Sequence, residues 1–122
     1  MLGDAMRCGP FLDVFPTGEP GGFRLIGQLG VPAAEPLRAL LEPVASCGIG
    51  LTLDCGEVSS IDPIGLGVVV RMLDCRGGTA VLLTNATRRV IGVLDRLLPD
   101  GHPGLLIVPE ARGHRGVESA AS

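Results

Sequence analysis

The sequence predicts an α/β fold: a single mixed β-sheet of four to five strands with helices packed against it, in the order β-β-α-β-α-β-α-β. Three observations carry this. Dense turn chemistry at Thr17-Gly-Glu-Pro-Gly-Gly separates two short apolar runs and predicts a hairpin. Segments with apolar residues at helical spacing then alternate with short apolar runs, which calls for right-handed crossovers and parallel strands. At the centre, Leu51-Thr-Leu-Asp-Cys reads as a buried strand that leads through a tight turn to Asp62 and an apolar helix.

In chain order, residues 1–10 show no periodicity and are expected to be flexible. Phe11-Leu-Asp-Val-Phe predicts a first, edge strand, and Phe23-Arg-Leu-Ile-Gly-Gln-Leu a second with Phe23, Leu25, Gly27 and Leu29 on one face. Residues 32–45 predict a helix with Leu37, Leu40, Leu41 and Val44 inward and Glu35, Arg38 and Glu42 outward. Pro36 falls in its first turn, where proline is tolerated, whereas Pro43 is expected to end or bend it. Gly48-Ile-Gly marks the break before the central strand. The next helix, opening after Asp62 and running to about Arg76, is apolar nearly all round and should be largely buried, or else half of it faces a partner. Gly77-Gly78 reads as its C-cap, residues 79–84 as the fourth strand, and Asn85-Ala-Thr as the cap of a helix over 87–97. That helix turns Val90, Ile91, Val93, Leu94 and Leu97 inward, with Arg88, Arg89, Asp95 and Arg96 outward. Leu105-Leu-Ile-Val predicts the last strand, and the polar residues 111–122 a disordered tail. One domain over 11–110 follows.

Composition narrows the function. Of 122 residues 46% are hydrophobic, which excludes a chain disordered throughout. The net charge of -3 argues against a nucleic-acid surface, and with three phenylalanines the only aromatics there is no base-stacking platform. All ten basic residues are arginines, a bias typical of a GC-rich genome. No apolar run approaches the roughly 20 residues that span a bilayer. The early acid at Asp4 argues against a signal peptide, so a cytoplasmic protein is expected. Cys8, Cys47, Cys55 and Cys75 lack metal-ligand spacing, and His102 and His114 are isolated, so no metal or cofactor is expected. The cysteines read as small buried hydrophobes or as a redox switch, with Cys55 and Cys75 as its candidates. No Ser-His or Cys-His arrangement and no phosphate loop is present, and Gly65-Leu-Gly is not a dinucleotide fingerprint, so no enzyme is expected.

The stretch Leu51-Thr-Leu-Asp-Cys-Gly-Glu-Val-Ser-Ser-Ile-Asp-x-x-Gly-Leu-Gly resembles the signature of STAS domains, the family of bacterial anti-sigma factor antagonists and their relatives. Phe23-Arg-Leu-Ile-Gly-Gln-Leu is similar to the family's second strand. Asn85-Ala-Thr-Arg-Arg-Val-Ile-Gly-Val-Leu-Asp-Arg-Leu-Leu-Pro is similar to its last long helix. The resemblance covers roughly 11–109. It implies a binding module that sequesters an anti-sigma factor of histidine-kinase-like ATPase fold and so relieves repression of a sigma factor. The implied contact set is Ser59, Ser60, Asp62, Pro63, Ile64, Gly65 and Leu66. Two departures stand out. The family carries a phosphorylated serine directly after the aspartate, where this chain has Pro63 and Ile64. The family's second strand commonly ends Gly-Glu-Leu-Asp, where this chain has Gly27-Gln28-Leu29-Gly30. Control by phosphorylation at the usual position is therefore not expected. Ser59 and Ser60 precede the turn and are poor substitutes. A second reading is a STAS module acting as scaffold, sensor or transport-assembly subunit outside sigma control.

From the residues themselves, Asp62 suits a helix N-cap, with Pro63 preorganised for the first helical position. Ile64 and Leu66 are either core residues or a hydrophobic docking tip.

Overall fold

The computed structural model describes residues 6–74 and 80–110. Among these, six strands and three helices form one sheet with one layer of helices. The elements are β1 (Met6–Arg7), β2 (Leu12–Pro16), β3 (Gly22–Leu29), α1 (Val31–Ser46), β4 (Leu51–Ile61), α2 (Pro63–Met72), β5 (Val81–Ala86), α3 (Arg88–Leu97) and β6 (Leu105–Pro109). Strand order in the sheet follows chain order from β1 to β6. The pairs β1–β2 and β2–β3 are antiparallel, and β3–β4, β4–β5 and β5–β6 are parallel. Each parallel crossover moves one strand over in the same direction. A common right-handed sense therefore puts α1, α2 and α3 on one face. Burial agrees: Leu51, Leu53 and Cys55 of β4 and Val81 and Leu83 of β5 are buried, and the alternate residues are half-exposed.

The mixed sheet and element order are as the sequence predicts, with one strand more. Met6–Arg7, within the stretch expected to be flexible, pairs with β2 opposite Val14 and Asp13, and Arg7 reaches Asp13 across it at 3.0 Å. In β2 the inward residues are Leu12 and Val14, while Phe11 remains 53% exposed. Pro43 does not end α1, which runs on to Ser46. Pro43 and Ala39, whose carbonyl loses its partner, are both exposed, so that carbonyl is open to solvent. The expected C-cap at Gly77-Gly78 and the start of the fourth strand at Thr79 lie outside the described residues.

The largest difference is β4. The residues expected to form a tight turn after Cys55 instead extend the strand to Ile61, pairing Glu57, Val58, Ser60 and Ile61 with Ile26, Gly27, Gln28 and Leu29. Two register shifts accommodate them. Gly27 enables one: its φ of +119° is open to glycine, and a Cβ there would lie 2.2 Å from the Phe11 carbonyl oxygen.

This extension carries the chain to the end of β3, where Asp62 N–H donates to the Leu29 carbonyl at 3.1 Å and α2 begins. Leu66, Val69 and Met72 of α2 are fully buried between α1, α3 and the sheet. The start of α2 also lies tight against β3. A Cβ on Gly65 would come within 2.4 Å of the Leu29 carbonyl oxygen and 2.8 Å of the Gly30 nitrogen, both backbone atoms. Gly65→Ala should therefore destabilise the fold by about 2–3 kcal/mol, as overpacking against rigid backbone does. Urea unfolding checks this, and Gly67→Ala, where an added Cβ meets nothing within 4 Å, is the control.

Candidate functional site

The site gathers where β4 ends and α2 begins. Asp62 is in extended conformation at the N-cap, and its Oδ1 accepts from Gly65 N–H at 2.9 Å. Pro63 takes the first helical position, where its missing N–H costs nothing. Ile64 follows and is 61% exposed, an unusual place for a large aliphatic side chain. Gly65 and Leu66 are buried, so they support the site from beneath and are not available to a partner in this conformation. Of the two alternatives the sequence leaves open, Leu66 is core and Ile64 is surface.

Ser59 and Ser60 are exposed near the end of strand β4 rather than ahead of a turn. Arg89 of α3 donates from Nη1 to the Ser59 carbonyl at 2.8 Å, tying this strand end to the next helix. Thr87 caps α3 as the sequence predicts, its Oγ1 accepting from Val90 N–H at 3.3 Å. Beside Asp62 lies Gly30, the N-cap of α1, which supplies no side-chain cap. A Cβ at Gly30 would meet Asp62 Oδ2 at 2.9 Å. An acid at that position would press a second carboxylate against the first, a costly arrangement when both are ionised. Asp62 and Gly30 fit each other.

Next to this edge, α1 and α2 enclose a groove of about 230 Å³ that includes Pro63, Ile64, Gly67 and Arg71 from α2. Sequence reasoning did not single out Gly67 or Arg71. The spacing of Ile64, Gly67 and Arg71 along one helical face is the signal that could have found them. On the α1 wall, Arg38 donates from Nε to Glu35 at 3.0 Å and from Nη1 to Glu42 at 2.6 Å. Its hydrogen bond to Glu35 lowers the pKa of that carboxyl from the ordinary value, and the same bond raises that of Arg38.

Of the redox candidates, Cys75 lies outside the described residues. Cys55 is buried under the sheet, its thiol directed at the Leu53 carbonyl at 3.7 Å. Burial first, and the nearby Asp54 second, push its pKa up to about 12. The nucleophilic thiolate is therefore absent at neutral pH. Cys8 is also buried and its pKa also raised, by desolvation and then by Asp13, whereas Cys47 is exposed. Among the described residues no cluster of His, Cys, Asp and Glu could hold a metal ion, and no helix is long and apolar enough to cross a membrane.

The fold is that of an anti-sigma factor antagonist of known structure. No protein-family model and no curated protein sequence matches the chain. Among solved structures, the anti-sigma factor antagonist SpoIIAA in its unphosphorylated form superposes with a TM-score of 0.56 over 91% of this chain and 99% of its own, at 19% identity.

Three expectations follow from the site. Asp62→Ala should lose about 1 kcal/mol of stability and Asp62→Asn much less, since asparagine also caps. A shifted urea midpoint with unchanged slope checks this. For Cys55 the folded-state pKa stands above the ordinary 9.0, so the folded chain holds the proton more tightly. This contribution is complete below pH 9.0 and declines as pH rises toward 12, because the unfolded chain ionises first. In thiol labelling at pH 8, Cys47 should react well before Cys8 and Cys55; mass mapping of labelled peptides reads the order.

Proposed function

We propose that the chain is a binding module of the antagonist type. It engages an anti-sigma factor through the edge formed by Ser59, Ser60, Asp62, Pro63 and Ile64, with Gly65 and Leu66 holding that edge in place. The partner class is an anti-sigma factor of histidine-kinase-like ATPase fold, and capturing it relieves repression of a sigma factor. The observation that carries this reading is Ile64, 61% exposed at the start of a capped helix in a fold of antagonist type. A large apolar side chain held rigidly in water has a clear use as an anchor for a partner.

The edge offers the partner no hydroxyl at the two positions after Asp62. A phosphate would add about -1.5 to -2 charges at the start of α2 and disrupt apolar docking, and here that switch has no acceptor. The module is thus held in its binding-competent form, and its amount sets its effect. It performs no catalysis of its own. The loss of the hydroxyl, together with Gly30 in place of an acid, also favours a second reading, a STAS scaffold or sensor outside sigma control.

Binding is measured by titration calorimetry against the anti-sigma factors of the source genome. Ile64→Asp should weaken it by more than about 1 kcal/mol. The fold should persist, because an acid in the first helical turn suits the helix dipole. Unchanged affinity counts against the docking edge. Incubation with the partner and ATP should leave the intact mass unchanged; one added phosphate that abolishes binding sinks the locked state. Binding to a transporter subunit and to no anti-sigma factor would favour the second reading.

A further inference from the structure

We infer that Arg89 of α3 is a positioning residue for the docking edge. It holds the end of β4 from the side that β5 has left, and so fixes the pose of Asp62 and Ile64. The inference rests on the antagonist-type reading of that edge and adds to it a residue outside the contact set.

The sheet creates the need for such a residue. β4 pairs with β5 only from Leu51–Val81 to Asp54–Thr84, whereas its pairing with β3 continues to Ile61–Leu29. Residues 55–61 of β4 therefore have a strand partner on one side only. The parting is built in. Asn85 takes a φ of +53°, which breaks the extended run of β5. Its side-chain amide donates to Asp54 Oδ1 at 3.1 Å, and the same oxygen accepts from Gly56 N–H at 3.0 Å. Beyond this point a crevice of about 440 Å³ opens between β4 and the start of α3, lined by Val58, Thr87, Arg88, Arg89 and Glu110.

A backbone carbonyl at such a place lacks the donor that a neighbouring strand supplies. At Ser59 a guanidinium supplies it: Arg89 Nη1 donates to the carbonyl oxygen at 2.8 Å. A charged donor makes the stronger kind of hydrogen bond. Ser59 stands three residues before Asp62, whose N–H bonds to the Leu29 carbonyl and whose carboxylate caps α2 at Gly65. Local helix chemistry does not favour an arginine at this position. A cation in the first turn opposes the helix dipole, and alanine is the better helix former. Loss of Arg89 should therefore loosen the edge without harming α3. Arg88 carries the same charge in the same turn and is the natural control.

The test is amide hydrogen exchange by NMR on the full chain, read at the N–H groups of Asp62 and Gly65. Arg89→Ala should speed exchange at both about fivefold, the scale of one hydrogen bond. Arg89→Lys keeps a charged donor and should recover part of the protection. Arg88→Ala should change neither site, and exchange at Val90 N–H, in the cap of α3, should not rise in any variant. Titrated with each anti-sigma factor that binds the parent chain, Arg89→Ala should bind about threefold more weakly, because the looser edge is ordered only on binding. Unchanged exchange at Asp62 and Gly65, equal acceleration in Arg88→Ala or at Val90, no recovery with lysine, or equal affinity for the partner overturns the proposal. The exchange measurement contains no partner, so the two readings fail separately. Faster exchange in a chain that binds no anti-sigma factor leaves the Arg89 tie standing and removes the antagonist reading. Anti-sigma binding with unchanged exchange does the reverse.

Discussion

The close approach of α2 to the end of β3 is the constraint on which the rest of this structure depends. Gly65 lies where any Cβ would strike the Leu29 carbonyl, and Asp62 N–H bonds to that same carbonyl. The carboxylate of Asp62 then turns back to cap the helix at the Gly65 N–H. Three small facts of local chemistry thus set where α2 starts and how it is aimed. Leu66, Val69 and Met72 can fill the core only from that position.

The same constraint exposes Ile64. With Asp62 at the cap and Leu66 inward, the helical period directs residue 64 away from the sheet. An exposed apolar edge arises with no further device. It is preorganised, because Pro63 and the Asp62 cap restrict its backbone. It is also uncharged apart from Asp62, whose Oδ1 is already committed to Gly65.

Among the described residues the cysteines play no visible part in this arrangement. Cys55 belongs to the row of inward residues on β4, between Leu53 and Val58, and its raised pKa is a consequence of that burial. Its chemistry is that of a small hydrophobe.

The residue pattern alone determined much of this protein. Element order, hairpin, mixed sheet, the cap at Asp62 and the cap at Thr87 all follow from local rules: turn residues, apolar period and the donors left free at a helix start. Those rules act over a few residues, so the sequence displays them. Tertiary structure decided the rest. Whether residues 56–61 turned or continued as strand depended on hydrogen bonds offered by β3, some thirty residues earlier, and on the bulge that Gly27 permits. Whether Pro43 broke α1 depended on which side of the helix faced water. The roles of Ile64 and Leu66, alike in sequence and two residues apart, separated only when the Leu29 carbonyl fixed the rotation of α2. In each case the deciding atom lay on another element, and no local pattern could display it.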